Sequence, residues 1–368
     1  MTKASTVHLI AAARPNFMKI APLYHELAKR DWCEPRIVHT GQHYDPNMSD
    51  AFFTDLQLPE PHVHLGVGSG SHAEQTGGVM IAYEKVCQES RPDWIVVVGD
   101  VNSTLACSLV GTKLWIPVAH LEAGLRSGDR SMPEEINRLV TDSIADLLWT
   151  PSPDGDENLL REGIAPDKID RIGNIMIDSF ELLAPMIREA GMPEKLGLEK
   201  LNYGVVTLHR PSNVDISEKL ALIVDELESA SEQLPLVFPV HPRTRQRLSD
   251  FGLMTRLEAA PAITLTEPLS YIEFMSLVLD CRLALTDSGG IQEESSYLGI
   301  PCLTLRDNTE RPVTVTEGTN RLIKSEDIGA QIQQSLAGEP RRSCTIDLWD
   351  GRAAGRAADS LERHAARL

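Results

Sequence analysis

Short, almost wholly apolar runs that end in glycine or an acid, each followed by a helical pattern, restrict this chain most. Trp94-Ile-Val-Val-Val-Gly-Asp100 is one such run, and Ile116-Pro-Val-Ala-His-Leu-Glu122 is the next. Residues 103–113 between them carry helical spacing, so a strand–helix–strand unit is predicted. Strands that are apolar along their whole length suit a parallel sheet covered on both faces. In such sheets ligands bind beyond the carboxyl ends of the strands. Asp100 and Glu122 stand at two such ends, and Glu134 opens a helix in Pro133-Glu-Glu-Ile-Asn-Arg138. Acids gathered there predict proton transfer on a bound substrate, and so an enzyme.

The same alternation runs along the chain. Residues 7–11, 36–39, 94–98, 117–120 and 147–149 are predicted strands. Residues 17–29, 73–88, 103–113 and 134–146 are predicted helices. A second series has strands at 205–208, 236–240, 263–265, 283–286 and 302–305, with helices at 217–231, 270–279 and 291–297. Residues 175–201 read as a connecting helix and loop. The fold class is therefore α/β, with two Rossmann-like domains facing a cleft. Residues 1–172 form the first domain, with the catalytic acids. Residues 173–354 form the second, which binds nucleotide. Residues 355–368 form a helix that crosses back to the first domain. The length of 368 residues fits two domains.

A net charge of −18 argues against a general nucleic-acid or anionic-membrane surface. An anionic ligand would then need a local group of cations. Cys33, Cys87, Cys107, Cys281, Cys302 and Cys344 form no C-x-x-C pair, which fits a reduced, cytoplasmic protein. The start lacks a signal-peptide pattern, and no run reaches the ~20 apolar residues of a membrane span. No H-E-x-x-H motif, C-x-x-C pair or acidic calcium loop occurs, and no metal is expected.

Thr286-Asp-Ser-Gly-Gly-Ile-Gln-Glu-Glu294 follows a strand and opens a helix. Gly289 and Gly290 allow close backbone approach, and the first helical N–H groups favour an anion. The plainer alternative is a tight turn with Ser288 as the helix cap. Two acids beside an anion site make sense if one accepts hydrogen bonds from a ribose diol. That role falls to Glu294, with Glu293 second. Cations follow strands in both halves: Arg14 and Lys19, Arg138, His209-Arg210, and Arg311. A diphosphate would need such a set in an acidic protein. The acids also have ordinary readings. Ser131-Met-Pro-Glu134 matches a capping box, Glu134 and Arg138 are spaced for an i,i+4 pair, and Asp100 could cap the following helix. Glu122 is harder to dismiss, since it ends an apolar strand and precedes Ala123-Gly124. Burial there would raise its pKa.

Taken in order, the motifs resemble the non-hydrolysing UDP-N-acetylglucosamine 2-epimerases. The resemblance rests on Arg14-Pro15 with Lys19, Thr40-Gly-Gln-His43, Gly99-Asp100, His120-Leu-Glu-Ala-Gly-Leu-Arg126 and Pro133-Glu-Glu-Ile-Asn-Arg138 in the first half. In the second half it rests on Leu208-His-Arg210, Val240-His241, Asp287-Ser-Gly-Gly-Ile-Gln-Glu-Glu294 and Thr309-Glu-Arg-Pro312. It implies a fold like that of GT-B glycosyltransferases, a homodimer, and interconversion of UDP-GlcNAc and UDP-ManNAc without an external redox cofactor. It implies supply of cell-surface polysaccharide precursors. Asp100, Glu122 and Glu134 would be the acid/base groups, and His209 would assist the UDP leaving group. Arg14, Lys19, Arg138, Ser288, Gly289, Gly290 and Glu294 would hold UDP. Gln42, His43, Arg210 and His241 would lie near an allosteric UDP-GlcNAc site. A hydrolysing epimerase, a GT-B glycosyltransferase and a nucleotide-sugar sensor stay open as alternatives.

Overall fold

The computed structural model describes residues 4–41, 53–343 and 345–366. It divides into two compact units: Met1–Leu182 with Asp347–Leu368, and Leu183–Ile346.

The first unit has seven strands: β1 Ser5–Ala11, β2 Cys33–His39, β3 Val63–His64, β4 Trp94–Val98, β5 Val118–Leu121, β6 Leu147–Thr150 and β7 Ile169–Arg171. They form one sheet in the order β3-β2-β1-β4-β5-β6-β7. Every pairing is parallel. All of β4, β5 and β6 is buried, as expected of strands covered by helices on both faces. Ile95, Val97 and Val118 pack against Val79, Tyr83 and Val110 from the covering helices. The order of strand addition reverses between β1 and β4. This is the topological switch point, where the two neighbouring loops leave in opposite directions and open a crevice.

The second unit repeats the plan. Its strands are β8 Gly204–Thr207, β9 Leu236–Pro239, β10 Ile263–Thr266, β11 Leu283–Thr286, β12 Cys302–Leu305 and β13 Asn320–Ile323. The sheet order is β10-β9-β8-β11-β12-β13, again all parallel. Its core joins Val206, Leu285 and Leu303 to Leu220, Ile223 and Ile332. The switch point lies between β8 and β11.

The sequence reading identified most of these strands. It missed β3, β7 and β13, together with the helices Pro153–Arg161, Pro242–Asp250 and Ile328–Ala337. The helix Ala353–Ala365 belongs to the first unit. Trp149 Nε1 donates to Ser360 Oγ at 2.9 Å, and Arg30 pairs with Asp359 at 2.8 Å. At Gly173, φ is +88°, and a Cβ there would fall 2.1 Å from the Leu348 carbonyl oxygen. Only glycine lets the returning segment pass so close. Asp178 accepts from the amides of Ala353 and Ala354, the first residues of that helix. Its pKa is pushed up to about 6, chiefly by burial.

Candidate active site

The first-unit cluster forms where β1, β4 and β5 end. Glu122 follows β5 and is only 5 % exposed. Its φ is +73°, a left-handed conformation that costs a residue with a Cβ of the order of 1–3 kcal/mol. Its carboxylate pairs with Lys19 of the helix Arg14–Leu27. A buried carboxylate needs such a partner. Asn16 fixes the start of that helix. Its Oδ1 accepts from the amides of Ala12 and Ala13, and its Nδ2 donates to the Val98 carbonyl at the end of β4. The β1 and β4 ends are thereby tied together, and Gly99, with φ +66°, begins the turn that carries Asp100.

Asp100 pairs with Arg138, whose guanidinium is 4 % exposed and also engages Glu135 at 2.6 Å. Burial opposes charge on Glu135. The Ser127 and Gly128 amides, together with Arg138, outweigh it and hold the pKa below the ordinary carboxylate value. Asn137 Nδ2 donates to the Asp100 carbonyl at 2.8 Å. The helix Pro133–Ile144 therefore grips the Asp100 turn with two neighbouring side chains.

The ordinary readings of these acids are corrected here. Arg138 pairs with Glu135 at i,i+3 and with Asp100, and Glu134 is exposed. Met132 stands at the helix cap, and the Ser131 hydroxyl donates to Asp129 instead of forming a capping box. Asp100 caps no helix: Val101 holds that position before Asn102–Lys113.

The second cluster is built at the ends of β8, β11 and β12. Asp287 is fully buried. It accepts from the amides of His209 and Arg210 and from Asn213 Nδ2, and it pairs with His209 Nδ1 at 2.9 Å. Burial opposes its charge, but the His209 contact and these donors hold its pKa below the usual value. Asn213 also donates to the Leu305 carbonyl at the end of β12, and Arg210 Nε donates to the Asp287 carbonyl. One carboxylate thus sets the loops that follow three strands.

Beside it, Gly289 and Gly290 begin the helix Gly289–Tyr297. Ser288 holds the cap position, but its side chain makes no capping bond. Its amide donates to Thr286 Oγ1. A Cβ on Gly289 would lie 2.9 Å from Arg311 Nη1, so glycine leaves room for that guanidinium at the helix start. Arg311 pairs with Glu293 at 2.7 Å. Glu310 lies among Arg306, Arg311 and Arg210, at 2.8, 3.6 and 4.0 Å. Despite burial, Arg306 and Arg311 hold its pKa down to about 2. A helix start beside the Arg210, Arg306 and Arg311 guanidiniums has the chemistry to receive an anion.

Glu294 accepts from the Tyr271 hydroxyl at 2.6 Å. Burial pushes its pKa up to about 8, the Tyr271 bond working against the shift and Glu293 adding to it. The folded protein therefore binds a proton that the unfolded chain releases above the ordinary glutamate value of 4.5. This contribution to stability is full below that value and disappears as pH rises through about 8. Glu294→Gln is expected to flatten the decline in stability over that window, by up to ~1.4 kcal/mol per pH unit, in urea titrations at several pH values.

The remaining expected residues are placed as follows. Arg14 opens its helix at the end of β1 and is exposed. His241 caps the helix Pro242–Asp250 by accepting from the Arg243 amide, and its ring lies 5.5 Å from that of His209. Arg210 is part of the Asp287 and Glu310 cluster. Gln42, His43 and Cys344 lie outside the described residues. The other five cysteines are buried and form no disulfide. Among the described residues there is no cluster of metal-ligating side chains, and no helix is long and apolar enough to cross a membrane. The sequence reading missed Asn16, Glu135, Asn137, Asp142 and Glu310, which position other groups. It quoted Asp287 within a motif without giving it a role. Asn16, Asp287 and Glu310 lie in segments that follow apolar strands, whereas Glu135, Asn137 and Asp142 lie within the helix Pro133–Ile144, where only its packing picks them out.

Comparison with known proteins gives a consistent result. The sequence profile of the family described as UDP-N-acetylglucosamine 2-epimerase matches residues 25–362. A Methanocaldococcus jannaschii UDP-N-acetylglucosamine 2-epimerase is 45% identical over 323 residues, covering 86% of this chain and 87% of the relative. A Pseudomonas aeruginosa UDP-2,3-diacetamido-2,3-dideoxy-D-glucuronate 2-epimerase is 39% identical over 317 residues, covering 85% and 87%. The crystal structure of the M. jannaschii UDP-GlcNAc 2-epimerase in complex with UDP-GlcNAc and UDP superimposes with a TM-score of 0.86. It has 40% identity and covers 97% of this chain and 99% of that one.

Proposed function

The chain belongs to the UDP-N-acetylglucosamine 2-epimerase family, and on that premise we propose that it interconverts UDP-GlcNAc and UDP-ManNAc by eliminating UDP and adding it back. The observation that carries the reading is Glu122, a buried carboxylate in a strained backbone conformation beside an ammonium group at the sheet's switch point. Strain kept at such a place is a mark of a working residue.

The hydrogen at C2 of the sugar is not acidic, because no carbonyl adjoins it. Departure of UDP from C1 builds positive charge there and makes that hydrogen removable. The products of elimination are UDP and a 2-acetamidoglucal. Re-addition with the proton delivered to the other face of C2 inverts that centre. Two faces call for separately placed acid and base groups, and Asp100, Glu122 and Glu134 are assigned to them. His209, oriented by Asp287, assists the leaving diphosphate. Arg311, Ser288, Gly289 and Gly290 hold phosphate, and Glu294 takes the ribose. In the first unit Arg14, Lys19 and Arg138 serve the substrate. A phosphate that takes Lys19 or Arg138 as its partner releases Glu122 or Asp100 for proton transfer. The enzyme works as a cytoplasmic homodimer of the non-hydrolysing kind and supplies cell-surface polysaccharide synthesis. Arg210 and His241, with Gln42 and His43, are assigned to a regulatory UDP-sugar site.

The test is incubation with UDP-GlcNAc alone in deuterium oxide, followed by proton NMR. UDP-ManNAc carrying deuterium at C2, without build-up of UDP, is the expected result. Retention of the original hydrogen would end the elimination scheme. Steady release of ManNAc and UDP would instead assign the hydrolysing reaction.

A further inference from the structure

We propose that His120 is a buried imidazolium, locked by Asp142, that serves as the positioning residue for the Asp100 and Glu122 turns. His120 lies in β5 and is fully buried. Its Nε2 is 2.8 Å from the Gly99 carbonyl oxygen, and its Nδ1 is 2.5 Å from Asp142 Oδ1. A carbonyl oxygen can only accept. Asp142 lies against the Arg126 guanidinium at 2.7 Å, and the same oxygen, Oδ2, accepts from the Gly124 amide at 3.0 Å. Asp142 is therefore a carboxylate, and it too can only accept. With an acceptor at each ring nitrogen, both nitrogens carry protons.

Neighbouring charges make a buried cation tolerable. Arg126 pairs with Asp142 at 2.7 Å and with Glu162 at 2.7 Å. Asp142 is thus the buried anion shared by His120 and Arg126, while Arg126 also reaches the exposed Glu162.

The network ends at the backbone of the working turns. The Gly99 carbonyl adjoins Asp100. The Gly124 amide, two residues past Glu122, donates to Asp142 Oδ2 at 3.0 Å. Only glycine fits at position 124, where φ is +81° and a Cβ would lie 2.4 Å from the Gly155 carbonyl oxygen. One ion pair therefore fixes the turn before one proposed acid and the turn after another. His120 reaches Asp142 and the Gly99 carbonyl, groups that hold the turns, so it is assigned a positioning role. What it positions rests on the epimerase reading; its protonation state does not.

The test has two arms. The full chain is labelled with 15N-histidine, and His120 is assigned as the ring signal that His120→Gln removes. Both ring nitrogens are expected at protonated-type shifts across the neutral pH range. An unprotonated nitrogen in that range would overturn the imidazolium. The kinetic arm compares Asp142→Asn, His120→Gln and His120→Ala. Misplaced turns are expected to lower kcat up to about 100-fold for Asp142→Asn, with KM held within about twofold. His120→Gln can still donate to Gly99 and is expected to keep more kcat than His120→Ala. Wild-type kcat and KM in Asp142→Asn, with only a lower melting temperature, would overturn the positioning role. A rise in KM alone would do the same. If the wild-type protein has no epimerase turnover, the proposed function has failed, and the NMR arm still decides the charge of His120.

Discussion

Glu122→Gln is expected to give a folded protein that binds UDP and turns over UDP-GlcNAc about 10²–10⁴-fold more slowly, the range associated with one general acid or base. Glutamine fills the same volume and accepts the same left-handed backbone conformation with similar strain. The fold should survive, because the turn is also held by Ala123 N donating to the Trp149 carbonyl at 3.0 Å and by Gly124 N on Asp142. The ability to take a proton is lost. Lys19 loses its anionic partner, so its charge becomes more available to phosphate, and UDP affinity is expected to hold or rise. Product formation by NMR and UDP binding by calorimetry separate the two effects. Wild-type kcat in this variant would remove Glu122 from the chemistry and leave the proton-transfer scheme without its central residue.

Legibility in the sequence followed burial. The strands Trp94–Val98, Leu283–Thr286 and Cys302–Leu305 are central, buried throughout and mostly apolar, so their apolar runs found both ends of each. The missed strands lie at sheet edges. β3 has two residues and β7 reads Ile-Asp-Arg, while β13 reads Asn-Arg-Leu-Ile, buried only at its two ends. An edge strand with one neighbour needs no long apolar run.

The site was legible as a set of loops rather than as a set of bonds. The acids and cations do stand at strand ends, because strand ends were what the apolar runs revealed. Their partners depend on helix phase. Glu134 and Glu135 both lie within reach of Arg138 by spacing, at i,i+4 and i,i+3. The structure buries Glu135 and exposes Glu134, and only packing of the helix Pro133–Ile144 decides between them. The Asp142 contact with His120 crosses 22 positions and the Asp287 contact with His209 crosses 78, distances at which local pattern carries no information.

Asp287→Ala is the substitution expected to cost the most stability, about 3–5 kcal/mol, because it removes a fully buried acceptor and leaves its donors unsatisfied. The loss extends beyond the His209 pair. Two backbone amides, of His209 and Arg210, lose their acceptor in a place water does not reach, and Asn213 loses one of its two bonds. Asp287→Asn keeps one acceptor oxygen, so its cost is expected to be smaller, although it removes the charge that orients His209. Both variants should lose turnover, since His209 and Arg210 would no longer be fixed against the helix Gly289–Tyr297. All five tryptophans, at 32, 94, 115, 149 and 349, belong to the first unit, so urea unfolding of the second is best followed by circular dichroism. An unchanged unfolding midpoint in Asp287→Ala would mean that the loops after β8, β11 and β12 are held by packing alone. The orientation of His209 would then need another cause.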